Sequence, residues 1–450
     1  MASPIVQEKL LVRKIDLRIV PLSAFIYLLC NLDRSNIGNA KIMNQEQGKD
    51  LLTETKTSDY DYTIALMMFY VAYGLFEVPS NILLKRLRPS RWIAFLMCSW
   101  GAITMGLGGV HTFAELTVVR FLLGVFEAGL FPGLVYYVTF WYRQDERSLR
   151  VALILASATL AGAFGGAIAY GVAHMEGKTS LSAWRWLFIL EGIPSAALSL
   201  PILLFLPDYP EAASWLSAEE RALSALRLKH GASKASSEGL SWSAVRETLL
   251  DWRLYVHFVV YFGISAPFSS LSLFSPTIVT GLGYTSLKAQ LMTVPPYAVA
   301  YVFTLAAAYL ADRMNRRGFF AAGFALVGVV GFIASATLPV DDYRSRYGCL
   351  IVACTGSFAC IPPLLGWLSC NMRSTATTGL AVALNISFGA PGQIVGVWIY
   401  KSSQASRGYP TGHWTNAALL LVVVVGCLGL HVLYSRRNKR LLPGEPPWKL

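Results

Sequence analysis

The feature that most constrains this chain is a series of twelve apolar stretches, each about as long as a bilayer is thick. They fall at about 18–37, 62–84, 92–110, 116–141, 150–173 and 186–206, then 254–279, 290–311, 319–338, 348–370, 377–400 and 415–434. A helix rises about 1.5 Å per residue and the hydrocarbon core is about 30 Å thick, so roughly 20 residues span it. Lipid offers no partner for backbone N–H and C=O groups, so such stretches must be helical. A β-barrel is disfavoured because the apolar runs are unbroken and do not alternate. Only 14% of the 450 residues are charged and 54% are apolar, against about 25% charged in soluble domains. The sequence predicts an all-α membrane protein with twelve transmembrane helices in two six-helix bundles. No cleavable signal peptide is expected, because the first 17 residues carry charges and no apolar run.

Charge sets the expected orientation. With the N-terminus inside, the inner segments hold 26 Lys and Arg and the outer loops 10, and Arg34 and Arg120 lie within spans. That asymmetry predicts both termini in the cytoplasm and explains the net charge of +12 without nucleic acid. The seven cysteines form no metal spacing and read as small buried apolar residues. Residues 207–250 separate six spans from six and read as a cytoplasmic tether, part of it an amphipathic helix on the membrane surface. The expected units are thus 1–206, 207–250 and 251–450. Internal similarity agrees: LLKRLRPSRW after the second span resembles LADRMNRRGF after the eighth, and GAFGG (162–166) and GAPGQIVG (389–396) lie six spans apart. Small residues at that spacing let helices approach closely. A 6+6 repeat across a long inner loop is transporter architecture.

Several motifs carry a family resemblance. ADRMNRR (Ala311–Arg317) and RFLLGVFEAGLFPG (Arg120–Gly133) resemble the major facilitator superfamily. In the N-terminal copy of the first motif, Lys85 stands where an acid is usual. LDRSNIGNA (32–40), FEVPSN (76–81), WRWLFILEGIPS (184–195), GYTSLKAQLMTVPPY (283–297) and YPTGH (409–413) resemble the anion:cation symporter family, in its fungal allantoate, nicotinate and vitamin permease branch. The sequence differs from that branch at NMRSTATTG (371–379) and near Ala390–Pro391, both in the C-terminal half. The resemblance implies a proton-coupled symporter of a small organic anion, in a plasma membrane and as a monomer. It also implies cavity positions for Tyr73 and Trp367, with plain packing as the other reading of each. Asp312, Arg313, Arg316 and Arg317 would form the inner gate.

Charges inside spans cost about 2.5–3.5 kcal/mol each at mid-membrane, so each needs a purpose or a partner. Asp33, Arg34, Glu77, Arg120, Glu127 and Glu191 are such residues, all in the first half. Arg120 and Glu127 are seven residues apart, about 10.5 Å along one helix face, too far to pair readily. Asp33 is then the expected partner of Arg120. In one reading Arg120 receives a carboxylate while Asp33 and Glu127 carry protons, Glu127 having no evident basic partner. In the other the pair only locks two helices. Arg34 either meets substrate or snorkels outward. Glu77 reads as an anchor at the Pro79 kink, and Glu191 as holding a structural hydrogen bond. Asn371 and Asn385 either bind substrate or tie helices together. His257 reads as interfacial or as a titrating group.

No phosphate-binding GxxxxGK[ST], HExxH or GxSxG pattern occurs, so neither ATP drive nor hydrolysis is expected, and no cofactor. Moving one anion inward against an inside-negative 100 mV costs about 2.3 kcal/mol, which one proton per monovalent anion cancels. Efflux by proton antiport is the alternative direction. A non-transporting nutrient receptor is the alternative class, and the short tails disfavour it.

Overall fold

The computed structural model describes residues 4–143, 146–178, 180–229, 242–372, 375–441 and 448–449, with the backbone alone at 4, 5, 85, 243, 244, 247 and 375–379. Residues 230–241 of the expected tether, residues 373–374 of NMRSTATTG and the Lys85 side chain lie outside what is described.

The first half comprises α1 (Pro4–Ile42), α2 (Asp59–Arg86), α3 (Pro89–Leu107), α4 (Phe113–Glu127 continued by Leu130–Val138), α5 (Arg147–Ala173) and α6 (Ala183–Phe205). The second comprises α7 (Trp252–Thr280), α8 (Ser286–Met292 continued by Val294–Arg313), α9 (Arg317–Thr337), α10 (Tyr343–Ala359 continued by Ile361–Cys370), α11 (Thr375–Trp398) and α12 (Pro410–Asn438). Eleven of these are long and apolar enough to cross a membrane. The twelfth, α3, carries Arg91, two Ser and two Trp, and it packs along α6 as closely as any helix pair in the protein.

Local chemistry sets the helix ends. Ser58 caps α2 by accepting from the Asp61 N–H, and Asp342 caps α10 by accepting from Ser345 N–H. Thr112 caps α4 by accepting from Glu115 N–H, while the Glu115 carboxylate accepts from His111 N–H at 2.7 Å. The interruptions are as legible. Pro132, Pro295 and Pro362 have no N–H to offer the preceding turn, and α4, α8 and α10 each break two to four residues before their proline.

Helix pairing repeats between halves. α1 packs on α5, α2 on α4 and α3 on α6; six helices later α7 packs on α11, α8 on α10 and α9 on α12. The halves meet where α5 crosses α8, α2 crosses α11, α1 crosses α7 and α5 touches the second segment of α10. At the face opposite the termini, two glycines make that meeting possible. A Cβ on Gly38 would lie 2.2 Å from the Leu273 carbonyl oxygen, and one on Gly166 would lie 2.5 Å from that of Gln290. GAFGG thus serves the seam between halves, whereas Gly392 and Gly396 of the second motif receive the α7 backbone inside one half.

Helix Ala218–Lys229 in the connecting segment does not simply lie on lipid. It is strapped to the first half through Lys14–Glu220 (2.7 Å), Glu8–Arg227 (3.1 Å) and an Arg227–Glu146 pair, with Arg227 buried. The Lys14 ammonium, bonded to Glu220, holds that carboxyl below the usual glutamate range. Cys30, Cys354, Cys360 and Cys427 are buried, but Cys98 is exposed on α3, so it does not read as a core residue. Exposed apolar side chains such as Phe205 (79% exposed) and Val302 (62%) form the lipid-facing surface.

Gly38→Leu puts a side chain where the Leu273 carbonyl lies. It is expected to hold α1 and α7 apart at that face while leaving each half folded. A cysteine introduced at Ser272 should then react faster with a membrane-impermeant thiol reagent than in a Gly38 background; an unchanged rate would show that the seam does not close this face.

Candidate functional site

The site lies between the halves, where the proline breaks of α4 and α10 bring Phe131, Ile361 and Pro362 against a central cavity. Six aromatic rings line it: Tyr27, Tyr73 and Phe131 from the first half, Tyr261, Phe268 and Phe358 from the second. Among the described residues Arg34 is the charged one in its lining, and Thr159, Ser265, Thr304 and Gln393 add neutral polar groups. Arg34 also borders a smaller adjoining space with Asn31, Ser35 and Tyr297.

Arg34 is held rather than free. Its Nε donates to Glu127 Oε2 at 2.9 Å, with both side chains buried. Its guanidinium stands 4.6 Å from the Tyr73 ring and 5.2 Å from that of Phe69. Cation–π contact of this kind compensates partly for lost hydration. Cys30 Sγ lies 3.5 Å from the same Glu127 oxygen. Arg34 Nη2 and Glu127 Oε1 have no hydrogen-bond partner among the described residues. The site therefore offers one guanidinium with spare donors, facing the cavity, and a carboxylate behind it.

Several expectations are corrected. Asp33 does not pair with Arg120. Adjacent residues on a helix point about 100° apart, and while Arg34 faces α4, Asp33 turns to α3 and α6. There it accepts from Ser195 Oγ (2.6 Å) and Trp100 Nε1 (3.1 Å). Arg120 instead donates to the Arg34 carbonyl at 3.4 and 3.5 Å, beside the Phe69 ring, and it is not among the cavity-lining residues. Glu127 has a basic partner after all, reached across helices. Arg34 does not snorkel. Glu191 makes no structural hydrogen bond: both its oxygens are buried without a partner among the described residues.

In the second half, Trp367 is fully buried away from the cavity. Its Nε1 donates to the Lys449 carbonyl (2.8 Å), and it packs against His257 and Tyr434. Asn371 is tied to Lys449 in both directions, its Oδ1 accepting from Lys449 N–H (2.9 Å) and its Nδ2 donating to the carbonyl (3.1 Å). His257 is buried against the Tyr434 hydroxyl, not interfacial. Asn385 is buried one residue before the cavity-lining Ile386, and its Oδ1 has no hydrogen-bond partner among the described residues. Glu77 accepts a long hydrogen bond from Ser387 Oγ across to α11. Tyr73 lines the cavity.

At the terminus-bearing face, Asp312 pairs with Arg317 and Arg317 Nε donates to Ser148 Oγ at 3.0 Å. At this face Arg317–Ser148 bonds one half to the other, and Asp312 orients Arg317. Arg313 and Arg316 are exposed. Sequence reasoning missed Gln393, a polar side chain inside GAPGQIVG, and Tyr27. The signal for Tyr27 was its spacing: two turns before Arg34, it shares that helix face.

The fold and this pocket define a membrane transporter. The Major Facilitator Superfamily family model matches residues 23–397. The chain belongs to that superfamily. It is similar to the MFS transporter prlL of Fungal sp. (strain NRRL 50135), with 64% identity over 96% of this chain and 87% of that protein. It is 30% identical to the high-affinity nicotinic acid transporter of Saccharomyces cerevisiae, over 96% of this chain and 79% of that one. A bacterial homologue of the human lysosomal transporter Spinster, inward-facing and unoccupied, shares the fold at TM-score 0.66 and 17% identity, covering 95% of this chain and 98% of that chain.

Breaking a buried ion pair strands a charge and costs about 3–5 kcal/mol, whereas apolar replacement of both partners is often near neutral. Arg34→Met and Glu127→Leu should each lower the melting temperature of the detergent-purified protein, and the double variant should recover most of the loss. If the double variant melts at the sum of the two losses, the pair is not coupled.

Proposed function

We propose that this transporter is a proton-coupled symporter of a small organic anion, a member of the anion:cation symporter family. The observation that carries the reading is the buried Arg34–Glu127 pair facing an aromatic cavity. With Glu127 ionised, Arg34 is neutralised and has little attraction for an anion. A proton on Glu127 removes that partner, and the guanidinium can then grip a carboxylate in its planar fork. Substrate and proton are thereby bound together, and return of the empty carrier restores the pair. Arg120 holds the backbone of Arg34 in place. The six rings suit a flat apolar body attached to the carboxylate, and the relative named for nicotinic acid makes that acid the first probe.

The same reading places both termini and the 207–250 segment in the cytoplasm of a plasma membrane. The halves 1–206 and 251–450 rock about the cavity as a monomeric unit, with Arg317–Ser148 as the inner latch and the glycine seam as the outer one.

Glu127→Gln imitates the protonated state permanently. In proteoliposomes it should bind nicotinate or another aromatic carboxylate and exchange it across the membrane. It should fail to accumulate that anion under an inward pH gradient, by at least about tenfold. Normal accumulation by Glu127→Gln would refute the coupling. Asp312→Asn frees Arg317 to leave Ser148 and should slow uptake while leaving expression intact; an unchanged uptake rate would remove Asp312 from the gate.

A further inference from the structure

The cavity does not account for what lies at the terminus-bearing end of the second half. Three helix ends converge there: the start of α7 with Arg253, the end of α10 with Trp367 and Asn371, and the end of α12 with Tyr434 and Asn438. Trp448 and Lys449, which follow α12, lie across them. Asn438 Oδ1 accepts from the Trp448 N–H and its Nδ2 donates to the Trp448 carbonyl, both at 2.8 Å. Asn371 pairs Lys449 in the same way, accepting from its N–H at 2.9 Å and donating to its carbonyl at 3.1 Å. The Trp367 indole N–H donates to that same carbonyl at 2.8 Å. The Trp448 ring stacks on Tyr434, with centroids 5.7 Å and planes 13° apart, and the Arg253 guanidinium stands 4.1 Å from the Trp448 centroid. Asp251 holds Arg253 there, accepting from its Nε at 2.7 Å.

This is the pattern of peptide recognition. Trp367 and Asn371, like Tyr434 and Asn438, stand four residues apart, so each helix offers a ring and an amide on one face. An Asn amide carries an acceptor and a donor side by side and can pair both main-chain groups of one residue. The two amides thus hold main chain, as a neighbouring strand would, while Tyr434 and Arg253 hold the ring. What the segment grips also bears on the latch. Gly318, beside Arg317, packs so closely on Trp367 that a Cβ would lie 2.6 Å from the indole ring. Gly366, beside Trp367, leaves no room for a Cβ against Ser148 Oγ. Trp367 therefore links the docked segment to both partners of the Arg317–Ser148 bond.

We propose that the ends of α7, α10 and α12 form a peptide-docking groove, and that Trp448–Lys449 seated in it is a releasable clasp on the inner latch. Docked, the segment holds the second part of α10 where Gly366 and Arg317 meet Ser148. Released, it lets that part of α10 withdraw and the terminus-bearing face open. Lys449 is exposed and Trp448 half-buried, so the segment can leave without opening the core. The proposal rests on Arg317–Ser148 as the inner latch, but on neither proton coupling nor a particular substrate.

The test labels a reporter just inside the latch. Ala152 is buried one turn from Ser148 on the same face of α5, toward the cavity-lining Leu155. Ala152→Cys protein in nanodiscs is treated with a membrane-impermeant thiol reagent, and modification at residue 152 is followed by mass spectrometry. Adding Trp448→Ala, which removes the stacked ring and its cation–π contact, should speed labelling by about fivefold or more. Trp448→Phe keeps a ring and should label nearly as slowly as the parent. Equal rates in the parent and Trp448→Ala overturn the proposal, and so does Trp448→Phe labelling as fast as Trp448→Ala. Should Trp448→Ala not fold, Asn438→Ala removes both bonds to the Trp448 main chain and gives the same measurement. A cysteine at Ser272, at the opposite face, should not react faster in Trp448→Ala; if it does, the whole fold has loosened and the clasp is refuted. Ser148→Ala tells the two failures apart. Faster labelling with Ser148→Ala but not with Trp448→Ala keeps the latch and rejects the clasp. Faster labelling with Trp448→Ala but not with Ser148→Ala rejects the latch and keeps the docked segment as what closes this face.

Discussion

One buried contact, the Arg34–Glu127 ion pair, organises the first half of this transporter. Neither charge can lie at that depth alone, and neither is supplied by its neighbours in sequence. Their meeting requires α1 and α4 to approach until Nε and Oε2 are 2.9 Å apart. Phe69 and Tyr73 of α2 close over the guanidinium, and Arg120 fixes the backbone that carries it. Three helices are thereby aligned on one group. The proline breaks in α4 and α10 then bend apolar side chains toward the same point.

The second half answers with shape and little charge. Tyr261, Phe268 and Phe358 face the cavity, and Ser265 and Gln393 supply neutral polar atoms. Such a division suits a carrier whose ionic partner is gripped on one side and enclosed on the other. It also explains why Trp367 and Asn371 contribute elsewhere: they anchor Lys449, while Trp448 stacks on Tyr434 with its ring centroid 5.7 Å away.

The long apolar helices of the fold were legible in the sequence, because lipid enforces length and apolarity. What was not legible was azimuth. Asp33 and Arg34 are adjacent, and a rotation of about 100° decides which meets the cavity; only the packed neighbours Trp100 and Ser195 settle it. Glu127 and Arg34 are 93 residues apart, so spacing along one helix could exclude Arg120 as a partner but could not supply Arg34. Trp367 failed for a related reason. Its segment follows the α10 break, and the changed helix phase after Pro362 turns its ring toward α12. Glycine positions, by contrast, were visible as motifs, although only the structure separates the seam glycines from those packed inside one half.

The two closures differ in kind. At the terminus-bearing face the halves are joined by a guanidinium and a hydroxyl, groups that water can replace one bond at a time. At the opposite face Gly38 and Gly166 let backbone rest on backbone, and water must leave both surfaces together. Solutes excluded from protein surfaces favour whichever state hides more of it. Sucrose or a similar osmolyte therefore weighs on the glycine seam more than on the latch, and the carrier's resting orientation becomes sensitive to the osmotic strength of its surroundings.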